Sequence, residues 1–130
     1  MASLLALAFS AGVGYFLGRV SRRRKSKNAW QLLVWKIFKT KQDRDRFLAL
    51  FEPLARYVRE HETGTLAYEV SISDIEPRKI LIFERYISKE YFKEVHRTSE
   101  AFLAFKDSIS QFSFEDEGGH SYIEQDMGTI

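Results

Sequence analysis

The chain has 130 residues, with 20 Lys and Arg against 18 Asp and Glu, and no cysteine. That length suits one domain, and the absence of thiols excludes disulfides, thiolate metal sites and a cysteine nucleophile. The charge is unevenly placed. Arg19, Arg22, Arg23, Arg24, Lys25 and Lys27 form a basic collar, while the chain from Asn28 onward is net acidic and lacks the basic face that a nucleic-acid module needs.

Leu4 to Gly18 is an apolar run without a charge, and the collar follows it at once. A cleaved secretory signal requires positive charge before its apolar region, which Met1-Ala2-Ser3 does not supply. An organelle transit peptide requires an amphipathic Arg/Ser helix instead. We therefore read residues 1–19 as a transmembrane signal anchor, residues 20–28 as a basic juxtamembrane linker and residues 29–130 as one folded domain. The span is short, and tilt, bilayer thinning and snorkelling by Arg19 make up the difference. Positive charge stays on the cytosolic side. The expectation is thus a single-pass protein with its domain facing the cytosol, of the kind found on organelle outer membranes. Ala6, Ser10, Gly14 and Gly18 recur every four residues, either as a small-residue helix contact or simply as the Gly and Ala content of a membrane helix.

Trp30 to Phe38 is rich in β-branched and aromatic residues and reads as a strand. Thr40-x-x-Asp43 approximates a capping box, and Phe47, Leu50, Phe51, Leu54 and Val58 follow at helical spacing. Pro53 is expected to kink or break that helix near Glu52. Glu62-Thr63-Gly64 ends it. Thr65 to Ser73 alternates, with Leu66, Tyr68, Val70 and Ile72 on one face, and Lys79 to Ile87 is a third strand. Ser88 caps a second helical region whose apolar positions are Tyr91, Phe92, Val95, Phe102, Phe105 and Ile109, with a break near Thr98-Ser99. A Glu115-to-Gly119 loop then leads to a short last strand around Ser121 to Met127.

The order β-α-β-β-α-β predicts an α+β, ferredoxin-like fold. Its helices cover one face of the sheet, yet the first and third strands are apolar on both faces, as strands covered on both sides are. A homodimer through the open sheet face, the dimeric α+β barrel, is the simplest cover.

Glu62-Thr63-Gly64-Thr65-Leu66-x-Tyr68, Phe83-Glu84-Arg85-Tyr86, Tyr91-Phe92-x-x-x-His96 and Ser99-x-x-Phe102 together resemble the antibiotic biosynthesis monooxygenase domain family across roughly Trp30 to Met127. The resemblance implies a pocket between helices and sheet. In some members of that family a phenolic or quinol-like substrate is oxygenated without metal or flavin. Haem-degrading relatives place an iron-ligating histidine where this chain has Lys106, so haem degradation is not implied here.

Among single side chains, His96 lies one helical turn beyond Phe92, where an imidazole can exchange a proton near neutral pH. The same position equally suits a buried histidine bonded to a backbone carbonyl. Glu84 and Tyr86 share a strand face with Ile82. A carboxylate among apolar neighbours has a raised pKa or needs a partner: it orients His96 or binds a substrate hydroxyl, or it pairs with Arg85 or Arg97. Trp35, Tyr68, Tyr86 and Phe92 are the aromatic candidates for substrate contact, although aromatic residues on strands often belong to the core. No histidine or carboxylate spacing matches a metal site, and no cofactor is expected. The leading expectation is a membrane-anchored, cofactor-independent monooxygenase of a lipophilic phenol or quinol. In it His96 is the base, Glu84 orients it, and Tyr68 and Trp35 pack the ring. The alternative is a non-catalytic dimerisation, scaffold or lipophile-binding module of the same fold.

Overall fold

The computed structural model describes residues 26–130. The anchor expected over residues 1–19, and most of the linker at residues 20–28, lie outside them. Asn28–Glu124 form one compact unit. Within the described residues no helix is long and apolar enough to cross a membrane.

Strand β1 (Trp30–Phe38) leads to helix α1 (Lys41–His61), then to strands β2 (Thr65–Ile72) and β3 (Lys79–Tyr86). A short helix α2 (Lys89–Tyr91) runs into a π-helical turn (Phe92–His96), followed by α3 (Glu100–Ile109) and β4 (Phe114–Ile123). The sheet order is β2-β3-β1-β4, with every neighbouring pair antiparallel. This is the ferredoxin-like α+β arrangement that the element order implies.

Each helix starts on a hydroxyl cap. The side chains of Thr40, Ser88 and Ser99 accept from the backbone N–H groups of Asp43, Tyr91 and Phe102 at 3.0, 3.0 and 3.1 Å, satisfying donors that the first helical turn leaves free. Helix α1 turns Phe47, Phe51, Leu54 and Val58 inward. These side chains pack with Phe38, Ile80, Ile82 and Phe105 into the core between helices and sheet. The helix passes through Pro53 without the break expected at Glu52. Pro53 and Ala49 are both exposed, so the carbonyl that loses its amide partner is solvated, and the cost stays local.

Two further expectations are corrected. The acidic and glycine-rich stretch from Glu115 to Gly119 is strand rather than loop, because β4 pairs with β1 from Phe114 onward. Lys36 binds Glu117 across the pair at 2.5 Å, and Arg78 binds Glu115 at 2.5 Å. Gly118 is required there: a Cβ would collide with the Trp35 indole that lies over it. The face shared by Leu66, Tyr68, Val70 and Ile72 is interrupted, since the register shifts between Thr65 and Ala67 and makes Leu66 the bulged residue.

Candidate functional site

The π turn decides which side chain of the second helical region points inward. Its defining bond runs from the Arg97 N–H to the Phe92 carbonyl at 3.0 Å, one residue wider than an α-helical bond. The extra residue leaves Val95 41% exposed and takes His96 to complete burial. Both had been expected on the apolar stripe.

His96 Nδ1 lies 2.9 and 3.2 Å from the two carboxylate oxygens of Glu62. Glu62 is the C-cap residue of α1, and its own N–H donates to Val58 O at 3.0 Å. Its side chain also accepts from the Thr65 hydroxyl at 2.8 Å. A carboxylate only accepts, so Nδ1 donates the hydrogen bond, and the ring's second nitrogen, Nε2, is not used by Glu62. That Nε2 is buried without a hydrogen-bond partner among the described residues. Sequence reasoning placed Glu84 or a backbone carbonyl beside His96 and missed Glu62, reading it as a helix terminator and as part of the family motif but not as a partner of the imidazole.

Glu84, 6% exposed, sits on the helix-facing side of β3 and accepts from the Tyr86 hydroxyl at 2.6 Å. Burial pushes its carboxyl above the ordinary range; the Tyr86 hydrogen bond and the nearby His96 pull it back, while Glu62 adds to the rise. Neither expected arginine pairs with it. Arg85 alternates to the opposite face and binds Glu124 at 2.5 and 2.8 Å. The Tyr68 phenol is held far above its ordinary range by burial and then by the charges of Glu84 and Glu62, so it stays protonated. Burial, followed by the adjoining Glu84 charge, does the same to Tyr86.

Of these groups, Tyr68 and Glu84 border a cavity of about 220 Å³ between sheet and helices. Leu32, Val34 and Ile82 form its floor, and Phe47, Phe102 and Phe105 come from the helices. Tyr68, Glu84 and Phe92 also reach it. His96 does not line it. The imidazole stands one layer back, packed on the rings of Tyr68, Phe92 and Phe102 at centroid distances of 5.1, 5.9 and 5.0 Å.

Trp35 is not part of this group. Tyr68 pairs with Glu84, and Glu84 with Leu32, which fixes the helix face as that of the even-numbered residues of β1. Trp35 therefore points to the other face, where it stacks on His120 at 5.7 Å. With Ser71, Ser73, Lys79 and Leu81 it borders a separate concavity of about 390 Å³. Among the described residues no cluster of His, Asp and Glu is placed to hold a metal.

The sequence family described as antibiotic biosynthesis monooxygenase matches residues 33–108, more than half of the chain. This chain belongs to that family. The match takes in Glu62, Tyr68, Glu84, Tyr86, Phe92 and His96. Solved structures share the fold at low identity. One is a Caulobacter crescentus CB15 protein described as a candidate antibiotic biosynthesis monooxygenase, at TM-score 0.68 and 18% identity over 76% of this chain and 92% of that one. Similar are a candidate antibiotic biosynthesis monooxygenase from Nitrosomonas europaea (TM-score 0.67, 17% identity, 78% and 94% covered) and a Mycobacterium tuberculosis protein (0.65, 19%, 75% and 96%). No curated protein sequence matches the chain.

Proposed function

We propose that this member of the family is a cofactor-independent monooxygenase of a lipophilic phenol or quinol. The observation that carries the reading is an apolar cavity with one buried carboxyl, Glu84, on its wall. A carboxyl raised by burial is a better match for a phenolic proton than an ordinary one. Relative to the sequence expectation, the roles of Glu84 and His96 exchange. Glu84 takes the proton, and His96, anchored by Glu62 behind the wall, sets the charge around it.

The resulting phenolate passes an electron to dioxygen, and the two radicals combine. The quinol supplies every electron: one oxygen atom is retained in a hydroxyquinone and the other leaves as water. Oxygen uptake with a panel of quinols, with and without added flavin, tests this directly. Flavin-independent uptake supports it. Tight binding of the same quinols without any uptake would instead favour the lipophile-binding module.

The other half of the reading concerns assembly. The face of β1 and β3 away from the helices carries Leu33, Trp35, Ile37, Leu81 and Phe83, an apolar patch suited to a second copy of the sheet. Apolar area is worth about 25 cal/mol per Å² removed from water, and an interface of about 1,600 Å² is standard for a stable pair. Residues 28–130 are expected to sediment as a dimer at micromolar concentration. A stable monomer would refute sheet-to-sheet pairing.

Residues 1–19 are proposed as a membrane anchor with the domain on the cytosolic side, which would concentrate a lipophilic substrate near the cavity. The full chain should remain in membranes through both high salt and alkaline carbonate. A collar held only by anionic lipid, at about 1 kcal/mol per basic residue, would come off in salt. Extraction by carbonate would defeat the spanning anchor, and protection from added protease in intact organelles would reverse its orientation.

A further inference from the structure

The cavity is polarised along its length. Its buried end holds the Tyr68 phenol and the Glu84 carboxyl, whereas Arg97 and Lys106, both exposed, border the same space where it meets solvent. A third cation on the wall, Lys36, is already engaged by Glu117 and lies 4.0 Å from the centroid of the Phe114 ring. Arg97 and Lys106 differ. Among the described residues neither side chain has a carboxylate partner, and the Arg97 guanidinium lies over the face of Phe92, 5.8 Å from the ring centroid.

Lys106 holds its place for a geometric reason. Phe102, Phe105, Lys106 and Ile109 are the residues that α3 contributes to the cavity, a spacing that makes one helical face. A lysine therefore stands in a stripe otherwise built from phenylalanine and isoleucine. Its stem can lie along the apolar wall with the ammonium at the rim.

The geometry points to an amphiphilic acid as the ligand: a single-ring phenol or quinol bearing a carboxylate arm. This deepens the proposed function and rests on it for the phenolic half alone. An apolar cavity of about 150 Å³ takes up benzene, so about 220 Å³ has room for a substituted ring. Orientation follows from charge. Glu84 and Glu62 disfavour a further carboxylate at the buried end, and Arg97 and Lys106 attract it to the mouth, where charge-assisted hydrogen bonds form. The phenolic hydroxyl is thereby directed inward to Glu84.

Calorimetric titration of the full chain in neutral detergent tests the charge selection, using 2,5-dihydroxyphenylacetate and its methyl ester as probes. The acid is expected to bind at least about tenfold more tightly than the ester, a difference equivalent to about 1.4 kcal/mol. Its advantage should shrink with added salt. In the double variant R97Q/K106Q the acid and the ester should come within about twofold of each other, the ester binding as it does to the parent chain. The salt titration needs no variant and stands if the substitutions disturb folding. Equal binding of acid and ester, a preference that survives the double substitution, or no binding of either ring would overturn the inference. Selective binding of the acid without oxygen uptake would uphold it while defeating the oxygenase reading.

Discussion

Glu84→Gln is expected to slow flavin-free quinol oxidation by a hundredfold or more, about 2.7 kcal/mol in the barrier. The amide keeps the size of the carboxyl and still accepts from Tyr86, so the wall of the cavity is preserved while the base is lost. Because the ring is held by apolar contacts, kcat should carry the loss and KM should move little. The pH profile gives a second signature. A base works deprotonated, so the rate of the parent enzyme should rise with pH through the Glu84 pKa. Burial places that midpoint above the usual carboxylate value of about 4.3, and the variant should lose the limb. His96→Ala should retain part of the rate, since the imidazole acts from behind the wall. A Glu84→Gln enzyme as fast as its parent would remove Glu84 from the chemistry.

The largest stability effect is expected at Phe47. Its side chain is completely buried and lies between the rings of Phe38, Phe51, Phe105, Phe112 and Phe114, with centroids 5.2 to 6.4 Å away. Two aromatic groups, Phe38 with Phe112 and Phe114, and Phe51 with Phe105, lose their common neighbour if it is truncated. Phe47→Ala should cost about 3–5 kcal/mol, the range for a buried aromatic reduced to a methyl group. Urea denaturation measures this, with the m-value checked for constancy. A loss under about 1 kcal/mol would mean that the helices repack around the gap, and that the core is far less rigid than its aromatic contacts imply.

Much of this fold was legible because its signals are local. Alternation marks β2, residue type marks β1 and β3, and hydroxyl caps mark the start of each helix. The elements that were missed depend on distant partners. Gly118 and the acids around it read as a loop until Trp35 and Lys36 lie opposite them on the neighbouring strand. Glu62 reads as the end of a helix, and nothing near it in sequence announces a histidine 34 positions later. Trp35 was assigned to the wrong side for a related reason. A strand that is apolar on both faces gives no hint of which parity the helices cover, and only the register with β3 decides it. Glu84, Tyr68 and Tyr86 lie near one another because strand pairing and periodicity put them on the helix-facing side of the sheet, whereas His96 is turned inward beside them by the π turn, which helical periodicity does not foretell.

The π turn has a bearing on how this chain is compared with its relatives. Over Phe92–His96 the backbone holds one residue more than an α-helix would need to cover the same distance. Two homologous sequences, one with the turn and one without, would then superpose in space only with a single-residue gap inside a helix. Alignment procedures that forbid gaps in helices would pair His96 with a neighbour's solvent-facing residue. A histidine one column away can occupy the same place against Glu62, and one in the same column can point into water. In such a pair, one inserted or deleted codon would gain or lose the imidazole in the site as surely as a substitution would.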